Sequence, residues 1–110
     1  MITKRVCDRV PFYCDVRVAV RSGRRRLSAC AVDLSRGGVG IMVAGAFQRG
    51  DAVEVTFLLK DARQKVFEER VWGRVAHFRA ETEVNRIGVE FEEPDALKVC
   101  PEVSRRLNRI

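Results

Sequence analysis

Phe12-Tyr13-Cys14-Asp15-Val16-Arg17-Val18-Ala19-Val20 is the stretch that decides the fold class. Its even positions are all apolar while Asp15 and Arg17 fall on odd ones, and a period of two is what a strand buried on one face requires. Ser22-Gly23 turns the chain, and Leu27, Ala29 and Ala31 continue the alternation against Ser28 and Cys30. The run ends at Asp33-Leu34-Ser35-Arg36-Gly37-Gly38, whose polar and glycine content marks a break, and Val39 to Val43 forms a third short strand. Beyond the turn signal Arg49-Gly50-Asp51, Val53, Val55, Phe57 and Leu59 alternate with Glu54, Thr56 and Lys60. Asp61 to Gln64 is the next turn. Val66 to Phe78 reads as a long fifth strand, with Val71 and Val75 on one side and Trp72, Arg74 and Ala76 on the other. Ile87, Val89 and Phe91 make a sixth, after the polar loop Ala80 to Asn85.

Six alternating segments joined by short turns predict an all-β fold, a six-stranded antiparallel β-barrel, because closure removes the unpaired edges that would otherwise aggregate. Only the end of the chain departs from the pattern. Pro101 suits a first helical turn, and Val103, Leu107 and Ile110 fall at helical spacing, which predicts one short amphipathic C-terminal α-helix packed on the barrel. The expected organisation is a single domain over residues 1–110, with an N-terminal loop over 1–11, the barrel over 12–92 and the helix within 95–110. No repeat, low-complexity tract or interdomain linker interrupts it.

A chain of 110 residues has room for one core, and 46% hydrophobic with 33% charged residues is the balance of a soluble globular protein. Lys and Arg outnumber Asp and Glu by 21 to 15, a net charge of +6. That field favours anionic partners: nucleotides, nucleic acid or lipid headgroups. No apolar run approaches the ~20 residues of a spanning helix, and Met1 to Arg5 lacks the apolar stretch of a signal peptide, so the expectation is no membrane insertion and a cytoplasmic location. Cys7, Cys14, Cys30 and Cys100 show no CxxC spacing and His77 is the only histidine. Free, buried thiols are therefore expected, with no metal and no cofactor. One histidine and the lack of a plausible triad or P-loop argue against an enzyme.

Two motifs at strand boundaries carry the chemistry. Arg5-Val6-Cys7-Asp8-Arg9 precedes the first strand, and Asp33-x-Ser35-x-x-Gly38 closes the second. RxxxR spacing alone means little here, since Arg17/Arg21, Arg21/Arg25, Arg70/Arg74 and Arg105/Arg109 share it. The DxSxxG segment occurs once and combines three tasks. An aspartate accepts two hydrogen bonds from a guanine edge, a serine hydroxyl donates to phosphate or base, and a glycine permits close approach where a Cβ would clash. Arginine forks donate in pairs to guanine O6 and N7 or to phosphate oxygens. Each motif has an ordinary explanation by itself: a side-chain-capped turn with Gly38 at positive φ, and a solvated basic end. Trp72 is read as packing, and Arg24-Arg25-Arg26 as solvated.

In pairing, spacing and order these motifs resemble the PilZ family. Gly73-Arg74-Val75-Ala76 and Ile87-Gly88-Val89-Glu90-Phe91 extend the likeness to that family's late strands, so it covers nearly the whole chain. The resemblance implies a non-catalytic receptor that holds cyclic di-GMP on the outer surface of the barrel under the N-terminal loop. By it, Arg5 and Arg9 grip phosphates and guanine faces, Asp33 and Ser35 contact guanine edge and ligand, and Gly38 is the close-approach position. Lys4 stands where many members have another arginine; it keeps the charge but loses the bidentate fork. Either His77 or Arg74 stacks against a base, and the strand register does not choose between them. With no second domain indicated, the readout is expected to be a downstream protein partner in a process such as motility or biofilm formation. Two competing readings are a nucleic-acid-binding barrel and a PilZ-like adaptor without ligand. The first needs aromatics on an outer face, whereas Phe12, Phe57 and Phe91 fall in phase with the core.

Overall fold

In a computed structural model that describes residues 9–23 and 25–108, the alternation from Phe12 becomes strand β1, Val10–Val20, with Phe12, Cys14, Val16 and Val18 buried. The strand begins at Val10 and not at Phe12, because Val10 and Pro11 already pair with Leu34 and Asp33. β2 (Arg26–Ser35) and β3 (Gly38–Val43) form a hairpin with only Arg36 and Gly37 between the paired ends. β4 (Ala52–Lys60), β5 (Val66–Ala80) and β6 (Asn85–Phe91) complete the set. All pairings are antiparallel, and the order β1-β2-β3-β6-β5-β4 closes on itself where Val16 to Val20 pair with Phe57 to Val53. The ring encloses the alternating apolar positions, among them Leu34, Ile41, Phe57 and Ile87 at 0% exposure. Phe12 meets Phe57 edge-on at a centroid distance of 6.1 Å. At the Arg49-Gly50-Asp51 turn, Gly50 takes φ +93°, a conformation that glycine alone adopts without strain.

The single helix expected over 95–110 is two pieces. Ala96–Val99 is one 3₁₀ turn, and α1 spans Pro101–Asn108. Proline explains the break: it has no N–H to continue the ladder, and its ring drives the preceding residue out of the helical region, so Cys100 sits at φ −124°, ψ 75°. Ile110 lies outside the described residues. Val103 is buried and Leu107 half-buried against the barrel, as the spacing predicts.

Two breaks in the alternation matter more than the alternation. β2 holds one residue more than β3 between Ala31 and Asp33, and the β5 to β6 register shifts between Val75 and His77. A bulge of this kind reverses the inside-outside phase beyond it. Ala31 and Leu34 are thus both in the core while Asp33 faces outward, and Val75 is in the core while His77 is exposed.

A strand carboxylate ties α1 to the barrel. Glu69 of β5 is buried, and its two oxygens accept from the backbone N–H groups of Glu102 and Val103 at 2.8 and 2.9 Å. These are donors that a helix start leaves without partners, and a negative charge there also suits the helix dipole. Glu69→Ala should cost about 1–3 kcal/mol in urea denaturation and release the amides of α1 to hydrogen exchange; an unchanged midpoint would mean that Val103 and Leu107 dock the helix unaided.

Cys100 is buried next to this cap, its Sγ donating to the Arg70 carbonyl at 3.3 Å. Burial, helped by the Glu69 charge, pushes its thiol up to about 11, and burial raises Cys14 as well. At pH 8 the thiolate of Cys100 is then roughly one part in a thousand. Alkylation mapped by mass spectrometry should spare Cys14 and Cys100 in the folded protein and reach both in denaturant. Modification of Cys100 at equal rates in the two states would contradict this burial.

Candidate functional site

The bulges place Asp33, Gly40, Gly88 and His77 in one cross-strand row over β2, β3, β6 and β5. The two glycines form a flat strip of bare backbone, with a carboxylate at one end and an imidazole at the other. Gly40 is what lets the carboxylate lie across β3, since a Cβ there would stand 2.6 Å from Asp33 Oδ1. His77 is set over Gly88 in the same way, with its Cδ2 3.2 Å from where a Cβ would be.

Both carboxylate oxygens of Asp33 are taken by arginines. Arg9 Nη1 donates to Oδ1 at 2.7 Å, and Arg86 Nη2 donates to Oδ2 at 2.6 Å. The Asp33 side chain is only 15% exposed, whereas those of Arg9 and Arg86 are 35% and 40% exposed. Arg86 lies two residues before Gly88 on β6, and Arg79, its cross-strand partner, lies two residues after His77 on β5. Alternation therefore puts both on the outer face beside the glycine strip. Arg79 leans on Glu81, with hydrogen bonds of 3.0 and 2.6 Å. Together Arg9, Asp33, Gly40, His77, Arg79, Arg86, Ile87 and Gly88 line an open depression of about 510 Å³, within the range of roughly 300–1,000 Å³ typical of small-molecule sites. Three guanidinium groups around one carboxylate attract an anion and repel a metal cation. The planar forks match phosphate oxygens or the O6/N7 edge of guanine.

The residues singled out from sequence divide into three groups. Arg9, Asp33 and His77 meet in the depression. Arg74 does not: it donates to the Gly50 carbonyl at 3.0 Å and faces a separate hollow with Glu90, Glu92 and Glu93. The register thus distinguishes His77 from Arg74. Ser35 and Gly38 sit in the adjoining hairpin. The buried Ser35 hydroxyl accepts from the Gly37 N–H at 3.3 Å and donates to the Gly38 carbonyl at 3.4 Å, closing the two-residue turn. Gly38 is not at positive φ; a Cβ on it would collide with the carbonyl oxygen of Val89 on β6. The close approach it permits in this structure is between strands. Arg5 and Lys4 lie outside the described residues.

Gly40, Gly88, Arg79 and Arg86 were not singled out by sequence. A signal for two of them was present: a glycine inside a strand is destabilising unless something approaches its backbone closely, and Gly40 and Gly88 become directly opposed once β3 pairs with β6. Nothing in the spacing separates Arg79 and Arg86 from the other arginines, because their membership depends on the bulge near Ala76.

Comparison with known proteins bears on the fold and the family. No curated protein shows detectable sequence similarity to the chain. Among solved structures, the Bacillus subtilis inhibitor of motility MotI/DgrA superposes with a TM-score of 0.70 at 18% identity, covering 97% of this chain and 53% of its own; the chain thus spans about half the length of MotI. The PilZ domain of YcgR from Escherichia coli, solved with c-di-GMP, gives 0.61 at 12% identity over 98% of this chain and 100% of that domain. The PilZ domain of CeSA from a cellulose-synthesizing bacterium gives 0.60 at 20% identity over 87% and 94%. At these identities the likeness establishes the fold. A PilZ domain family model matches residues 3–99 of the sequence, and the chain belongs to the PilZ domain family.

Proposed function

We propose that this PilZ domain is a cytoplasmic, non-catalytic receptor for cyclic di-GMP that passes its occupancy to a partner protein. The observation that carries the reading is the carboxylate of Asp33, held across the bare backbone of Gly40 by two arginines. A guanine presents two N–H donors on one edge and two acceptors on another, and this site offers the complement of both within one depression. In the free molecule Asp33 gathers Arg9 and Arg86. On binding, the guanine N1 and N2 protons donate to the Asp33 oxygens, and the two guanidinium groups move to the ligand's phosphates or to O6 and N7. Both arginines are a third or more exposed, so the pairs given up are partly screened by water, and bonds of the same charge-assisted kind to phosphate replace them. His77 stacks on a base over the glycine strip. Arg5, with Lys4 contributing charge, closes over the ligand from the segment preceding Arg9. Ser35 and Gly38 contribute by fixing the hairpin that presents Asp33. Among the described residues no helix is long and apolar enough to cross a membrane.

The nucleic-acid reading is less well supported, since Phe12, Phe57 and Phe91 are buried and the exposed Tyr13, Trp72 and Phe78 are not among the residues that line the arginine-rich depression. Calorimetric titration with cyclic di-GMP, with GTP and cyclic GMP as controls, should give selective binding at micromolar Kd or tighter, about −8 kcal/mol. Absence of heat well above 100 μM, from protein with native circular dichroism, would leave the ligand-free adaptor reading in its place.

Substitutions test the assignment residue by residue. Arg9→Ala or Arg86→Ala should weaken binding by about 2 kcal/mol, while Arg25→Ala should cost a few tenths at most. Asp33→Ala makes the protein more positive, so a merely electrostatic anion binder would gain affinity; a guanine-reading site loses it. Two glycines should separate fold from binding. Gly40→Ala displaces only the end of the Asp33 side chain and should lower affinity at nearly unchanged Tm, whereas Gly38→Ala meets the fixed Val89 carbonyl and should lower Tm. Tighter binding by Asp33→Ala, or full affinity in Gly40→Ala, would remove the basis for this site.

A further inference from the structure

The pairing of the strands sets a row of residues on either side of the glycine strip. On one side Met42, Arg86 and Arg79 stand abreast on β3, β6 and β5, and on the other stand Gly38, Glu90 and Arg74. Alternation keeps all of these positions on the outer face, one strand period from Gly40, Gly88 and His77. Two guanidinium groups therefore flank the strip on one side only. On the other, Arg74 stands opposite Glu90 and donates to the Gly50 carbonyl at 3.0 Å. An anion lying on the glycines is drawn toward Arg86 and Arg79.

Arg79 and Arg86 are directly opposed across β5 and β6, and like charges in that relation repel. Each is answered by a carboxylate in the free molecule. Arg86 donates to Asp33, and Arg79 donates to Glu81 through Nε at 3.0 Å and Nη2 at 2.6 Å. Glu81 opens the loop between β5 and β6, where its N–H donates to the Val84 carbonyl at 3.1 Å. Both bonds from Arg79 end on one oxygen, Oε2, so the pair lacks the two-oxygen fork that binds most strongly. At 69% and 34% exposure the two side chains are also open to water, and little holds them together. Glu83, on the same loop, makes no ion pair among the described residues.

We propose that Glu81 is a built-in competitor for the ligand: its carboxylate occupies Arg79 in the free protein, and a phosphate of the bound nucleotide displaces it and is gripped by Arg79 and Arg86 together. In the free state Glu81 relieves the repulsion between the opposed arginines. In the bound state a phosphodiester meets the same demand, since it carries a negative charge on a pair of unesterified oxygens and each guanidinium can take one. The loop carboxylate thereby holds the affinity of the receptor below what its arginines alone would give. Arg79 lines the depression, so the exchange needs a turn of one exposed side chain and no movement of the barrel. The inference rests on the reading of the depression as a cyclic di-GMP site and adds what regulates it.

Calorimetric titration of the full chain with cyclic di-GMP, run on the wild type and on variants of the pair, tests this. Glu81→Gln keeps the size of the side chain and removes its charge; it should tighten binding about threefold to fivefold, the scale of an exposed ion pair. Arg79→Ala should weaken binding about tenfold. On the Arg79→Ala background Glu81→Gln should bring no gain, because the group for which it competes is gone. Glu83→Gln removes an equal charge from the same loop and should change affinity by less than about twofold. Unchanged or weaker binding by Glu81→Gln with native circular dichroism, an equal gain in Glu83→Gln, or a gain that persists without Arg79 would overturn the proposal. Glu81→Ala, read in the same way, replaces the glutamine variant if that variant does not fold. Failure of the receptor reading looks different: the wild type itself then shows no heat, and both proposals fall together.

Discussion

The site depends on one unpaired residue in the β2 to β3 ladder. Without the extra residue between Ala31 and Asp33, the alternation that buries Leu27, Ala29 and Ala31 toward the core would carry Asp33 inward, and a carboxylate would face Phe57 and Ile41. An isolated ionised carboxyl in such surroundings is strongly unfavourable. The bulge resolves the conflict by turning Asp33 out and returning Leu34 to the core in the next position. The matching shift near Ala76 turns His77 out on the far side. The glycines between them keep the backbone bare, so that side chains from β2 and β5 reach over β3 and β6.

This constraint also explains what was legible in the sequence. The six strands, their closure and the burial of Phe12, Phe57 and Phe91 follow from a period of two, which any half-buried strand must show. The C-terminal helix was legible in its apolar spacing and in Pro101, at which it starts; the separate 3₁₀ turn before it was not, because it follows from the effect of Pro101 on the backbone of Cys100. Arg9 and Asp33 were legible as members of motifs. Arg79 and Arg86 were not, since a local loss of phase cannot be seen in side-chain types. Ser35 and Gly38 belong to the same motif as Asp33, yet in this structure they make the hairpin rather than line the depression. A sequence motif records what must be kept together, and part of what is kept here is the turn.

The barrel thus separates two chemistries. Guanidinium groups surround one carboxylate on the face formed by β2, β3, β6 and β5, while near the junction with α1 a partly open tryptophan lies among carboxylates and the guanidinium groups of Arg21 and Arg70. The closed hydrogen-bonded ring gives both faces a rigid base, and the buried Glu69 fixes α1 to it. The hairpin after Asp33 is bonded directly to the end of β6, where the Phe91 N–H donates to the Gly37 carbonyl.

In the proposed function, Asp33 exchanges its two arginines for the edge of a guanine. The most direct test is a crystal structure of the chain grown with cyclic di-GMP. Guanine N1 and N2 are expected within hydrogen-bond distance of the Asp33 oxygens, with Arg9 and Arg86 moved onto phosphate or the O6/N7 edge. A complex in which the ligand lies elsewhere and Arg9, Asp33 and Arg86 keep their present ion pairs would contradict it.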